Sequence, residues 1–128
     1  GLFRGCAACA FACKSENFPP PGAWWTQVQL GETGKFPNTR RTSFPSLCMP
    51  CENPPCAQVC PTGASYKRPD GIVMVDYDKC IGCRYCEAAC PYHARRFNWQ
   101  KPQIPAAEIN PKQSYISNRI RPQGAMEK

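Results

Sequence analysis

The segment Cys80-Ile81-Gly82-Cys83-Arg84-Tyr85-Cys86-Glu87-Ala88-Ala89-Cys90-Pro91 spaces four cysteines as C-x2-C-x2-C-x3-C-P. This restricts the fold more than any other feature of the chain. An earlier segment, Cys48-x2-Cys51-x4-Cys56-x3-Cys60-Pro61, has the same ending, with two more residues before its third cysteine. Cys6, Cys9 and Cys13 make a shorter group, first in chain order, which brings the count to 11 cysteines in 128 residues. An odd number in tight clusters does not suit a disulfide scaffold, because cysteines two residues apart are badly placed to bridge each other.

The spacing C-x2-C-x2-C-x3-C-P is that of bacterial-ferredoxin ligands to 4Fe-4S clusters. Three thiolates at two-residue intervals let a tight loop wrap one cube. Gly82 allows the close backbone approach that amide-to-sulfide hydrogen bonds need. Cys86 and Cys90 stand one helical turn apart, about 6 Å at about 1.5 Å per residue, too far to share one cube comfortably. Cys90 is therefore expected to serve the neighbouring cluster, and Pro91 to end the helix with the sulfur aimed there. The reciprocal argument holds for Cys60. The expected sets are Cys48, Cys51, Cys56 and Cys90 for one 4Fe-4S cluster, and Cys80, Cys83, Cys86 and Cys60 for the other. Iron is the metal throughout, and its removal is expected to unfold the domain.

Zinc is the competing metal, since paired C-x2-C motifs also build closed tetrahedral sites in zinc-stabilised interaction modules. That reading has no use for a fourth cysteine followed by proline in both groups. The first group matches the last three positions of the motif, with Gly5 where Gly82 falls in the third group and Phe3 where the first cysteine should stand. It implies a site that departs from four thiolates, a 3Fe-4S cluster, or a chain start that differs in the intact polypeptide.

With 15 Pro, 9 Gly and a mean hydropathy of -0.50, the chain can bury only a small ordinary core, so metal cross-links must help hold one domain together. The formal charge of +7 counts thiols as neutral. A 4Fe-4S cluster with its thiolates carries about two negative charges when oxidised, so two clusters bring the total to about +3. The basic residues then read as charge compensation and solvated surface, with Arg40, Arg41, Arg95 and Arg96 as a candidate docking face. No nucleic-acid partner is expected. No apolar stretch approaches the roughly 20 residues of a membrane span, and Gly1 to Gly5 lacks the features of an export signal.

The fold expected is α+β, a ferredoxin-like pseudo-twofold 4Fe-4S domain with short helices and β-hairpins. Residues 1–15 carry the first, incomplete cysteine group, with a short helix from Ala7 to Lys14. Residues 16–47, punctuated by prolines and glycines, read as a long loop insertion with one strand near Trp25 to Leu30. Residues 48–97 form the two-cluster domain. In it, short helices Pro55 to Cys60 and Tyr85 to Cys90 flank a hairpin of Ala64 to Lys67 and Ile72 to Val75 around the turn Arg68-Pro69-Asp70-Gly71. Residues 98–128 read as an extended C-terminal arm wrapping something else.

His93 reads as a surface or second-layer residue, because every ferredoxin position already has its thiolate. Trp24 and Trp25 read as packing, and Tyr66, Tyr77, Tyr85 and Tyr92 as apolar shielding of the clusters. Gly31-Glu32-Thr33-Gly34-Lys35-Phe36 fails as a phosphate loop, since Gln29 stands where the first Gly should be and Phe36 where Ser or Thr should be. No catalytic set has defensible spacing, which points to a non-catalytic electron-transfer subunit.

Several longer stretches add to these motifs: Ala12-Cys13-Lys14-Ser15-Glu16-Asn17, Gly31-Glu32-Thr33-Gly34, Leu47-Cys48-Met49-Pro50-Cys51-Glu52-Asn53-Pro54-Pro55-Cys56, Cys60-Pro61-Thr62-Gly63-Ala64 and Val75-Asp76-Tyr77-Asp78-Lys79-Cys80. Through them nearly the whole chain resembles the four-cluster ferredoxin-type iron-sulfur (beta) subunit of the molybdopterin oxidoreductase family. Members of that family serve reductases or dehydrogenases acting on dimethyl sulfoxide, polysulfide, thiosulfate, tetrathionate, arsenate or organic substrates. The resemblance implies electron transport in anaerobic respiration, between a molybdopterin (molybdenum or tungsten) catalytic subunit and a membrane quinone-binding subunit. It implies up to four clusters in the intact subunit, with Cys6 and Cys9 in one outer cluster and Cys13 in the other, and a chain truncated before a fourth cysteine group. It also implies a membrane-associated complex, on the periplasmic face by co-export with the catalytic subunit or on the cytoplasmic face. A related subunit of a hydrogenase or formate dehydrogenase is the neighbouring alternative.

Overall fold

The computed structural model describes residues 5–101 and 122–128. Helix α1 (Ala8–Asn17) runs one turn beyond the expected Lys14. Lys14 helps explain the extension, because its ammonium donates to the carbonyls of Pro19, Pro20 and Ala23 at 3.0, 2.9 and 2.8 Å and lies over the Trp24 ring. Three carbonyl acceptors fix the chain where the Pro19-Pro20-Pro21 run leaves the helix.

Residues 16–47 depart from the expected loop insertion. Strands β1 (Gln27–Lys35) and β2 (Asn38–Ser46) pair antiparallel from Gln27↔Ser46 to Lys35↔Asn38, leaving Phe36-Pro37 as the tip. Val28, Thr33, Thr39 and Thr42 favour extended backbone. A two-stranded ribbon also tolerates Gly31, Gly34 and Pro45, which would break a helix or a central strand. The ribbon is almost wholly exposed and is tied to the cysteine-rich region by Ser46 Oγ donating to the Tyr92 carbonyl at 3.3 Å.

The cysteine-rich region has the expected elements, slightly shortened: α2 (Pro55–Gln58), β3 (Ser65–Lys67), β4 (Val73–Val75) and α3 (Tyr85–Ala88). Strands β3 and β4 pair antiparallel, and the turn closes through Arg68 N–H to Ile72 O and Gly71 N–H to Arg68 O. Between the two halves lies a small core of Cys56, Val73, Cys86 and Met126, with Cys80 and Phe97 packed on it.

The C-terminal arm is the second departure. Part of it, residues 102–121, lies outside the described residues, but residues 122–128 return to the domain itself. Strand β6 (Met126–Glu127) pairs antiparallel with β5 (Arg96–Phe97), and both β6 residues are buried. Trp25 Nε1 donates to Glu127 Oε2 at 2.7 Å, so this strand also reaches the segment after α1. A two-residue strand has no local signature, and its partner is found only in three dimensions.

Candidate metal centres

The structure brings the eight cysteines of the second and third groups around two cavities. One is lined by Cys48, Cys51, Cys56 and Cys90 together with Met49, Pro54, Pro55, Val73, Pro91 and Arg95. The other is lined by Cys60, Cys80, Cys83 and Cys86 with Ala64, Val75, Gly82 and Met126. The two are alike in size, with about 340 and 310 Å³ of space free of protein atoms, their open mouths included. Each group thus sends its last cysteine across to the other cavity. Among the described residues, no three His, Cys, Asp or Glu side chains converge as ligands of a single ion. The sulfurs of each foursome surround a volume, which suits a polynuclear group.

The two halves share some local hydrogen bonds. Beyond each terminal helix, Cys60 N–H reaches Ala57 O and Cys90 N–H reaches Glu87 O, both at 3.4 Å, and Ser65 N–H and Ala94 N–H donate to the Cys60 and Cys90 sulfurs at 3.4 Å. The first group repeats the start of the third. Gly5 and Gly82 have φ of 74° and 69°, Ala7 and Arg84 have φ of 57° and 62°, and a helix follows each. Cys6 and Cys9 are exposed and Cys13 is half-buried, and no cavity among those described brings them together with the other eight. The amide of Asn17 lies 3.6 Å from the Cys13 sulfur.

Hydrogen bonds and charge favour thiolates where burial alone would not. Burial pushes the Cys86 thiol up to about 11, with Arg95 acting in the opposite sense. Burial also raises Cys48, against the pull of Lys128 and Arg95. For Cys60, burial raises the thiol, but bonds from Ser65, Thr62 and Ala64 outweigh it and leave the group below its ordinary value. Further donors reach sulfur from Met126 N–H to Cys80 at 3.4 Å and from Arg95 Nη2 to Cys56 at 3.0 Å. Such donors stabilise negative charge on sulfur and are one means by which a protein sets cluster potential.

Arg95 and Met126 carry no motif and do not follow from spacing. Arg95 departs from the expectation of a solvated or docking face, being 1% exposed. Its Nη1 is buried without a hydrogen-bond partner, and the residue lines the Cys48 cavity. Arg96 is half-buried and donates to the Trp24 carbonyl, whereas Arg40 and Arg41 are exposed on β2. His93 is exposed, as expected. The tyrosine shield fits less well, since Tyr66, Tyr85 and Tyr92 are 42, 64 and 45% exposed and only Tyr77 is half-buried. The shielding of the cavities comes from Val73, Val75, Ala64, Met126 and prolines instead.

These cavities fit 4Fe-4S groups by donor chemistry, by the N–H donors aimed at sulfur and by the orphaned Arg95 nitrogen. Residues 39–112 match the 4Fe-4S dicluster domain. Among similar proteins, one subunit of the selenate reductase of Mesobacillus selenatarsenatis is 50% identical over 123 residues, covering 91% of this chain and 42% of the relative. The menaquinone reductase iron-sulfur cluster-binding subunit of Nitratidesulfovibrio vulgaris is 41% identical over 135 residues, covering 97% of this chain and 52% of the relative. The thiosulfate reductase electron transfer subunit of Salmonella typhi is 50% identical over 99 residues, 75% of this chain and 51% of the relative. The chain therefore spans about half the length of the curated relatives it matches. These names agree with the resemblance drawn from the longer motifs. Paired sulfur-lined cavities and a family match spanning the cysteines around them lead to one assignment: the chain belongs to the 4Fe-4S dicluster domain family.

Proposed function

We propose that this chain relays single electrons through 4Fe-4S clusters between a molybdopterin catalytic subunit and a membrane quinone-linked subunit. The observation that carries the reading is the pair of four-cysteine cavities whose linings meet in one buried core of Cys56, Val73, Cys86 and Met126. Two redox groups so close can exchange electrons without a mobile carrier. Cys48, Cys51, Cys56 and Cys90 hold one cluster and Cys80, Cys83, Cys86 and Cys60 the other, so the two halves act as a pseudo-twofold unit around residues 48–97. The repeated hydrogen bonds behind Cys60 and Cys90 support this symmetry.

The protein's part is positional and electrostatic: it fixes the separation of the clusters, excludes water and supplies N–H donors to sulfur. Cys6 and Cys9 would join one outer cluster and Cys13 another, completed by ligands that these 128 residues do not supply, and a 3Fe-4S cluster is the alternative for the first group. The relatives' names support a place in a respiratory complex, one of them as a menaquinone reductase subunit. Among the described residues no helix is long and apolar enough to cross a membrane, which fits attachment through a partner. We place the complex at the membrane, on the periplasmic face by co-export.

The test is anaerobic purification of the complex. Brown colour, bleaching by dithionite, iron matched by acid-labile sulfide, and a co-purifying molybdopterin subunit are expected. A colourless preparation holding zinc in place of iron would sink the reading.

A further inference from the structure

Resting on the cluster assignment above, we infer that Arg95 is a tuning residue shared by both clusters, a fixed cation in the wall between them that favours an electron on the Cys56 side. The position of the guanidinium is the first support. Nη2 donates to the Cys56 sulfur at 3.0 Å on one side and to the Ser65 hydroxyl at 2.5 Å on the other. Ser65 in turn lines the second cavity, and its backbone N–H donates to the Cys60 sulfur at 3.4 Å. One side chain therefore touches a ligand of the first cluster directly and a ligand of the second through a single residue.

The charge is the second support. A buried arginine is rare and normally needs an anionic partner, because an uncompensated buried charge is strongly disfavoured. Here the guanidinium's partners are a sulfur and a hydroxyl, and Nη1 has none. The negative charge that compensates it is that of the clusters themselves.

The redox consequence follows from charge. Reduction by one electron from a neighbouring cluster breaks no bond and adds one negative charge to the recipient. A nearby fixed cation stabilises that state and raises the potential, and the effect weakens with distance. The cluster held by Cys56 should gain more than the one held by Cys60, giving passing electrons a preferred resting place.

The experiment is an EPR-monitored redox titration of the complete complex, with the signals assigned through a Cys51→Ser variant. Arg95→Met should lower both midpoint potentials, the Cys56-side cluster more, and Arg95→Lys should lower them less. Unchanged potentials at wild-type iron and sulfide content, or the larger fall on the Cys80 side, would overturn the inference and leave the cluster assignment standing. Should Arg95→Met fail to load clusters, wild-type protein labelled with 15N-arginine decides the matter. Coupling of arginine nitrogen to the reduced Cys56-side cluster is expected, and its absence overturns the inference. Absence of iron and sulfide from the wild type would instead remove the cluster reading itself.

Discussion

The backbone N–H of Met126 donates to the sulfur of Cys80 at 3.4 Å, joining β6 to the first cysteine of the Cys80–Cys90 group. Met126 is 2% exposed and belongs to the core that separates the two cavities. Its strand is only two residues long, so its place depends on β5 and on this side chain's burial.

Met126→Ala should therefore weaken the domain by roughly 2–5 kcal/mol, the usual range for truncating a buried methionine. The change is read as a lower denaturant midpoint, followed by cluster absorbance under argon. A midpoint equal to wild type would mean that β6 adds nothing to the core.

The proposed crossed ligation makes reciprocal cysteine variants informative. Cys90→Ala should deplete the cluster of Cys48, Cys51 and Cys56 while sparing the other, and Cys60→Ala should do the reverse. EPR of each reduced variant, with iron content, checks this. Loss of the Cys80-side signal alone from Cys90→Ala would contradict the crossed assignment.

Removing iron should dismantle the cysteine-rich region. Of the four buried members of its core, Cys56 and Cys86 are themselves proposed ligands, which leaves Val73 and Met126 as the other two. So little apolar burial cannot offset the entropy of ordering the chain. Iron extraction by a chelator should abolish amide protection in residues 48–101, as followed by hydrogen exchange; retained protection would show a metal-independent fold.

Gly82 and Gly63 share a left-handed backbone, with φ of 69° and 66°, but differ in surroundings. A methyl group at Gly82 would fall on the Gly124 carbonyl oxygen and 3.0 Å from the Phe97 ring, whereas nothing lies within 4 Å of one at Gly63. The place after Cys90 that matches Gly63 is already held by His93, at φ 50°. Gly63→Ala should cost only the conformational penalty of about 1–2 kcal/mol. Gly82→Ala should add an overpacking cost of about 1–3 kcal/mol and loosen the Cys80-side cluster. Denaturant midpoints of the two variants provide the comparison, and equal values would refute it.

Cysteine spacing and local turn chemistry made the site more legible than the fold. Spacing and proline placement pointed to the grouping of Cys48 to Cys90 around two cavities, and Arg68-Pro69-Asp70-Gly71 announced the turn of β3 and β4. The β1–β2 ribbon was obscured because its glycines and prolines resemble a loop, and its pairing is settled across the strands rather than along either one. Arg95 was read as surface because arginine is seldom buried, and only the sulfur and hydroxyl it meets in three dimensions reverse that expectation. Strand β6 could not be read at all, since Met126 gains its meaning from Cys80 and Phe97, both distant in sequence.

The late arrival of Met126 bears on how the protein matures. On the ribosome all eight sulfurs of the two cavities emerge before it does, so the nascent chain passes through a stage at which the Cys80 cavity still lacks one wall. Docking of this short strand is thus the step that completes the lining of the Cys80 cavity.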